Sequence, residues 1–295
     1  MGFWSNIGLV FVAGLLTAVA TGLGALPFFV VDDFSDRWNV GLWGLASGIM
    51  LSASTFGLIN EGLAQGTVWE LAGGLAIGVA LVVVSGEVLD RVDVSGFGSA
   101  EETSDRHAPD GGHVEGGHDE HAAEAEAFVE GNLRQLVLIL GVLTVHSFPE
   151  GVAIGVSFAE LGLTGQGLDV LGFAVPLLAV FMTLAISIQN VPEGLAIAIP
   201  LRSFDVSEWR MVWWAVFSSL PQPIGAVLAF YSVTLAEQFL PFGFGFAAGA
   251  MVYLVATEFV PEALEYGRGL PGDGRRELAG GLLVGAAVMV PLALV

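Results

Sequence analysis

The chain has 295 residues, of which 54% are apolar and only 13% charged, with a mean hydropathy of +0.75. That balance belongs to an integral membrane protein and excludes an ordinary soluble domain. The charge is lopsided, 30 acidic residues against 9 arginines for a net −21. With no basic patch to neutralise phosphates, nucleic acid is excluded as a partner. With no cysteine, disulfides, thiolate metal ligands and cysteine nucleophiles are excluded too.

Apolar runs long enough to cross a bilayer fall at about 5–30, 40–60, 67–87, 134–159, 170–200, 209–235, 242–266 and 277–295. The expected fold class is therefore all-α, a single transmembrane domain of eight helices spanning 1–295. The first run has no basic n-region and no cleavage site and is read as a retained helix. Arg37 lies between spans 1 and 2. Arg91, Arg106 and Arg134 lie between spans 3 and 4 or at the edge of span 4, and Arg202 and Arg210 bracket the turn between spans 5 and 6. Arg268, Arg275 and Arg276 lie between spans 7 and 8. All arginines thus fall on one side, which the positive-inside rule makes cytoplasmic, so both termini face outward. A multi-pass protein of the plasma membrane is expected, with a homodimer left open. An acidic, lysine-free profile keeps a surface hydrated in a salty cytoplasm, which suggests a halophilic archaeon as the source.

Span 2 contains Met50, a residue type that fills core gaps more often than it binds a ligand. Small-xxx-small pairs at Gly44/Gly48, Gly74/Gly78, Gly151/Gly155, Gly245/Gly249 and Gly281/Gly285 predict close helix contacts. The seven tryptophans cluster near span ends and fit an interfacial belt. Residues 91–131, rich in Gly, Glu, Asp and Ala and carrying His107, His113, His118 and His121, cannot bury enough apolar surface to fold alone. They read as a disordered cytoplasmic loop, either simply solvated or weakly metal-catching.

Spans 4 and 5 hold two near-repeats, His-Ser-Phe-Pro-Glu-Gly at 146–151 and Gln-Asn-Val-Pro-Glu-Gly at 189–194. On a helix His146 and Glu150 share a face, as do Gln189 and Glu193, with Ser147 and Asn190 one step round. Each proline is expected to kink its helix and free the carbonyl of Val145 or Ile188. Carboxylates at membrane depth are costly and usually mark an ion or proton pathway. An imidazole, two carboxylates and two amides between the Pro-kinked helices 4 and 5 make a mixed nitrogen and oxygen set that suits first-row divalent cations and binds them reversibly. Gln222, between Pro221 and Pro223 in span 6, is a ligand or a backbone partner at a kink. In span 7, Glu258 could line an exit route, while Glu262 is close enough to the interface to be solvated.

These residues resemble the ZIP family of zinc and iron transporter-like proteins, especially its prokaryotic branch. The resemblance covers nearly the whole chain through span number, outward termini, the histidine-containing loop and the paired motifs. It implies a secondary transporter that imports divalent transition metals, zinc first, by alternating access, with an elevator-like shift of one helix group against another. It implies no resident cofactor, only Zn²⁺ or a related cation as cargo. It also implies a two-metal centre bridged by the motif glutamates. One position would use His146, Glu150, Gln189, Glu193 and Met50, and the other Glu150, Asn190, Glu193 and Gln222, with Glu258 on the cytoplasmic route. Amides at Asn190 and Gln222, where prokaryotic members often have acids, imply a weakened second position. The alternatives are an intramembrane metalloenzyme, for which the H-E-x-x-H signature is missing, and a metal sensor that binds without flux.

Overall fold

A computed structural model describes residues 2–31, 34–91, 146–159, 161, 167–170, 172–203 and 206–290. The expected histidine-bearing stretch, Arg91 apart, and Val145 lie outside the described residues. The helices in chain order are α1 (Phe3–Leu23), α2 (Asp36–Gln65), α3 (Val68–Arg91), α4 (146–157), α5 (Leu177–Ser203), α6 (Glu208–Leu235), α7 (Glu237–Gly269) and α8 (Arg275–Val288). Six of them (α1, α2, α3, α5, α6 and α7) are long and apolar enough to cross a membrane. Between α4 and α5 a short antiparallel hairpin pairs β1 (Leu168–Val170) with β2 (Phe173–Val175). Its turn is closed by the Gly172 N–H donating to the Asp169 side chain at 2.9 Å.

The helices sort into two groups. In one, α2 packs along α8 and α3 along α7, and α7 also lies against α2. Both lateral contacts are glycine on glycine. A Cβ on Gly74 or Gly78 would land on the carbonyls of Phe242 and Phe246, and one on Gly245 or Gly249 on those of Leu71 and Leu75. Gly44 and Gly48 meet Leu278 and Leu282 in the same way, while Gly281 and Gly285 meet Gly41 and Leu45. Residue numbers rise together across each contact, so both pairs run parallel. In lipid, where apolar burial does not drive helices together, such backbone-to-backbone approach is a principal source of packing.

In the other group α1 packs on α5 and on both halves of α6, and α4 lies on α6, with Gly151 and Gly155 against the carbonyls of Gln222 and Ala226. The α4–α6 contact is also parallel, whereas α1 runs against α6, with Gly14 facing Pro223 and Gly22 facing Val216. The two groups meet where α2 packs on α5 and where Gly243 of α7 faces Val156 of α4.

Two expectations change on the structure and one is met. Helix α5 continues through Pro192 and Pro200. The helix of span 6 is broken, as expected around Gln222, at Ser219 and Leu220, between Glu208–Ser218 and Pro221–Leu235. A lone proline deletes one ladder bond, but Pro221 and Pro223 delete two within a single turn, and the ladder gives way. Trp43 is not part of an interfacial belt; it is buried and stacks edge-on against Phe259 at 4.8 Å. Trp4, Trp38, Trp69, Trp209 and Trp213 are largely exposed and fit the belt. Glu262, read as open to solvation, is only 5% exposed.

Candidate metal centre

The side chain at the centre of the second helix group is Glu150, on α4 and 3% exposed. A buried carboxylate needs donors on its oxygens, because desolvation of an unpaired one is severe. Glu150 has one for each. Gln189 Nε2 of α5 donates to Oε1 at 2.6 Å, and Gln222 Nε2 of α6 donates to Oε2 at 2.5 Å. Gln222 lies at the start of the second half of α6, just past the break, so the break delivers this amide to the carboxylate. On its other side Gln222 Oε1 accepts from Thr17 Oγ1 of α1 at 2.6 Å and from Asn190 Nδ2 of α5 at 3.1 Å. Asn190 Nδ2 also donates to the Thr17 carbonyl at 2.9 Å. Helices α5 and α6 therefore reach the α4 carboxylate through amide side chains, and Thr17 of α1 holds Gln222 and Asn190 from behind.

The serine and threonine side chains around this network do similar service. Ser147 Oγ donates to the Ser218 carbonyl at 3.3 Å, an acceptor left over by the break because Gln222 N bonds to Ser219 instead, at 3.0 Å. Thr21 and Ser219 share a hydroxyl hydrogen bond at 2.7 Å. These groups stitch α1 and α4 to the break in α6.

The sequence-derived residues are thus brought together only in part. Glu150, Gln189, Asn190 and Gln222 form one hydrogen-bonded cluster. His146 and Glu193 lie within electrostatic reach of the Glu150 carboxylate. His146 makes its direct contact elsewhere, with Nε2 against Oε2 of Glu258. Glu258 sits in the π-helical turn Val255–Phe259 of α7, so this pair ties the two helix groups together. Met50 is fully buried in the main apolar core, on the helix that packs against α5. Among the described residues no three His, Asp or Glu side chains gather into a ligand cluster. The donor set is one carboxylate flanked by amides, and two amide oxygens in it, Gln189 Oε1 and Asn190 Oδ1, are buried without a hydrogen-bond partner. Neutral oxygens beside a carboxylate, with an imidazole close by, are donors that a divalent cation can use.

Thr17 escaped the sequence reading. It is one hydroxyl in an apolar helix, and such residues normally return their hydrogen bond to their own backbone, as Thr17 Oγ1 also does to Gly14 O at 2.8 Å. The only available signal was its i, i+4 spacing with Thr21.

The pattern of the ZIP Zinc transporter family matches residues 83–293, a stretch that contains both motifs. The chain belongs to this family. Its members are transporters and not enzymes, which removes the metalloenzyme alternative. The chain is 30% identical over 299 residues to the zinc transporter GufA of Myxococcus xanthus, covering 97% of this chain and 98% of that one. It is 33% identical over 289 residues to the zinc transporter ZIPB of Bordetella bronchiseptica, covering 97% and 80%. A putative zinc transporter of Arabidopsis thaliana is 34% identical over 260 residues, 88% of this chain; the chain spans only 35% of that relative's length.

Proposed function

We propose that the protein carries divalent transition-metal ions, zinc foremost, through the membrane into the cytoplasm by alternating access around Glu150. The observation that carries this reading is the buried carboxylate itself. Glu150 is held among amides from two further helices in an otherwise apolar core, with His146 and Glu193 beside it. A buried acid so far from water is expensive unless it serves passage of a cation. The relatives' names, which specify zinc, support the choice of cargo.

In this reading the cation sheds water, takes Glu150, Glu193, His146 and the Gln189 oxygen as ligands, and moves on toward Glu258. Met50, Asn190, Gln222 and Glu258 complete the candidate residues. The parallel pairing of α2 with α8, α3 with α7 and α4 with α6, and the antiparallel run of α1 against α6, support eight alternating spans. The arginines, which fall on one side of that alternation, favour both termini outside. The plasma membrane follows as the location. The division into two helix groups supports a carrier in which α1, α4, α5 and α6 shift against α2, α3, α7 and α8.

Uptake of Zn²⁺, Fe²⁺, Mn²⁺, Co²⁺ and Cd²⁺ into proteoliposomes tests this directly. The purified chain should accumulate zinc above empty vesicles, while Glu150→Ala and Glu193→Ala reduce uptake to the background. Normal uptake by both variants would remove the site assignment. Intact binding without accumulation by the unmodified protein would instead leave a sensor.

A further inference from the structure

The two amides that flank Glu150 look equivalent in the sequence, yet their hydrogen-bond partners make them unequal. The chain of bonds has a fixed starting point in the carbonyl oxygen of Thr17, which can only accept. It therefore requires the NH₂ group of Asn190, not the oxygen, at its 2.9 Å contact. The same NH₂ group lies 3.1 Å from the next atom along, which must then be the oxygen of Gln222. The Thr17 hydroxyl lies 2.6 Å from that oxygen and 2.8 Å from Gly14 O, and shares its single proton between the two. With its oxygen engaged twice, Gln222 has no choice but to present its NH₂ group to Glu150 Oε2. A backbone carbonyl on α1 thus sets the orientation of an amide on α6.

Gln189 has no such anchor. Its side chain donates to Glu150 Oε1, and its own buried oxygen has no hydrogen-bond partner. Half a turn of that amide costs one hydrogen bond and brings an oxygen lone pair to the carboxylate's side. Half a turn of Gln222 would break its bond to Glu150, its two acceptances, and leave NH₂ against NH₂ at Asn190.

We infer that Gln222, pinned through Asn190 and Thr17, is a fixed hydrogen-bond donor to Glu150 and not a ligand, and that it limits this centre to one divalent cation, bound on the Gln189 side. A carboxylate can bridge two cations when lone pairs face it from both sides. Here one side presents hydrogens, which repel a cation. The inference rests on the reading of Glu150 as the cargo site.

The test is the amount of cation held by the purified full-length protein, measured by titration calorimetry and elemental analysis with Cd²⁺ and with Zn²⁺ alone. With His107, His113, His118 and His121 replaced by alanine in every arm, so that only this centre is counted, the otherwise unmodified chain should bind one cation per chain. Gln222→Glu replaces the donor by a second carboxylate facing Glu150 and should raise the ratio to two. Gln222→Leu, close to the same shape with no polar atom, should keep a ratio of one and bind at least as tightly. A lost ligand would weaken binding by ~10-fold or more, about 1.4 kcal/mol. Two cations on the unmodified chain would overturn the inference, as would a ratio of one in a folded Gln222→Glu or weakened binding in Gln222→Leu. If Gln222→Glu does not fold, the unmodified chain and Gln222→Leu decide it. No binding by the unmodified chain would overturn the cargo-site reading itself, and this inference with it.

Discussion

Both helix groups use close glycine contacts, but only the second adds a buried polar network to them. In α2, α3, α7 and α8, glycines let backbones touch, and the contacts of α2 with α8 and of α3 with α7 are built from mutual small-xxx-small faces. In α1, α4, α5 and α6, polar joints are added: Thr17, Asn190 and Gln222 link α1, α5 and α6, Glu150 joins α4 to α5 and α6, and Ser147 and Thr21 bind the α6 break. Glycine contacts have no adjustable partner, since a displaced backbone simply loses van der Waals contact. A hydrogen-bonded amide with a single bond, as Gln189 has, can trade one partner for another at little net cost, while Gln222 stays pinned. The first group is therefore held by fixed contacts alone, while the second adds an adjustable polar layer to its own glycine contacts. His146 with Glu258 is a polar pair that reaches from one group to the other.

Overfilling the glycine contacts should have the largest effect. Gly74→Leu or Gly245→Leu would drive a branched side chain into the opposite backbone, where even a Cβ has no room. Overpacking of a rigid contact costs about 1–3 kcal/mol at a forgiving site, and more where the neighbour is backbone. Either variant should fail to give a monodisperse peak in detergent. A well-behaved variant with an unchanged melting temperature would mean that this contact is not the fixed joint of the molecule.

A substitution in the polar group should be milder. Asn190→Leu removes both donations from Asn190, leaving the Thr17 carbonyl and the Gln222 oxygen each one donor short. Leaving buried acceptors under-satisfied costs about 1–3 kcal/mol, but Thr17 Oγ1 still serves Gln222. The protein should remain folded, with a lower melting temperature and unchanged elution in size-exclusion chromatography. If Asn190→Leu failed to fold as Gly74→Leu is expected to, the distinction between fixed contacts and an adjustable polar layer would collapse.

The same contrast explains what was legible in the sequence. Glycine spacing is a local, one-dimensional property, so each of the five small-xxx-small pairs could be placed correctly on a helix contact. The paired motifs were legible because a carboxylate in an apolar run is conspicuous by itself. Partners chosen across helices were not. Nothing in the one-dimensional pattern says that Thr17 reaches Gln222, or that His146 turns to Glu258 while Glu150 draws its donors from amides. The centre was expected between α4 and α5, with Met50 and Gln222 added from spans 2 and 6, and the part of its polar scaffold that comes from α1 was not expected. Proline was legible where it is doubled, since the break around Gln222 was expected. Pro192 sits inside a motif and drew attention, yet the ladder breaks where two prolines fall in one turn.

The finest test of the comparison uses two adjacent glycines on α8. Gly281 meets the carbonyl of Gly41, whereas a Cβ on Gly280 would meet nothing within 4 Å. If glycine in this group serves only close approach, Gly280 is dispensable. Alanine there removes the conformational freedom that glycine loses on folding, and in an open helix position that exchange is worth about 0.5–1 kcal/mol in favour of alanine. Gly280→Ala should therefore leave the melting temperature unchanged or raise it slightly, with full uptake. Gly281→Ala, one residue on, should lower it. Equal destabilisation by both would mean that α8 needs its glycines for something other than contact with α2, such as bending, and the zipper account of that joint would have to be given up.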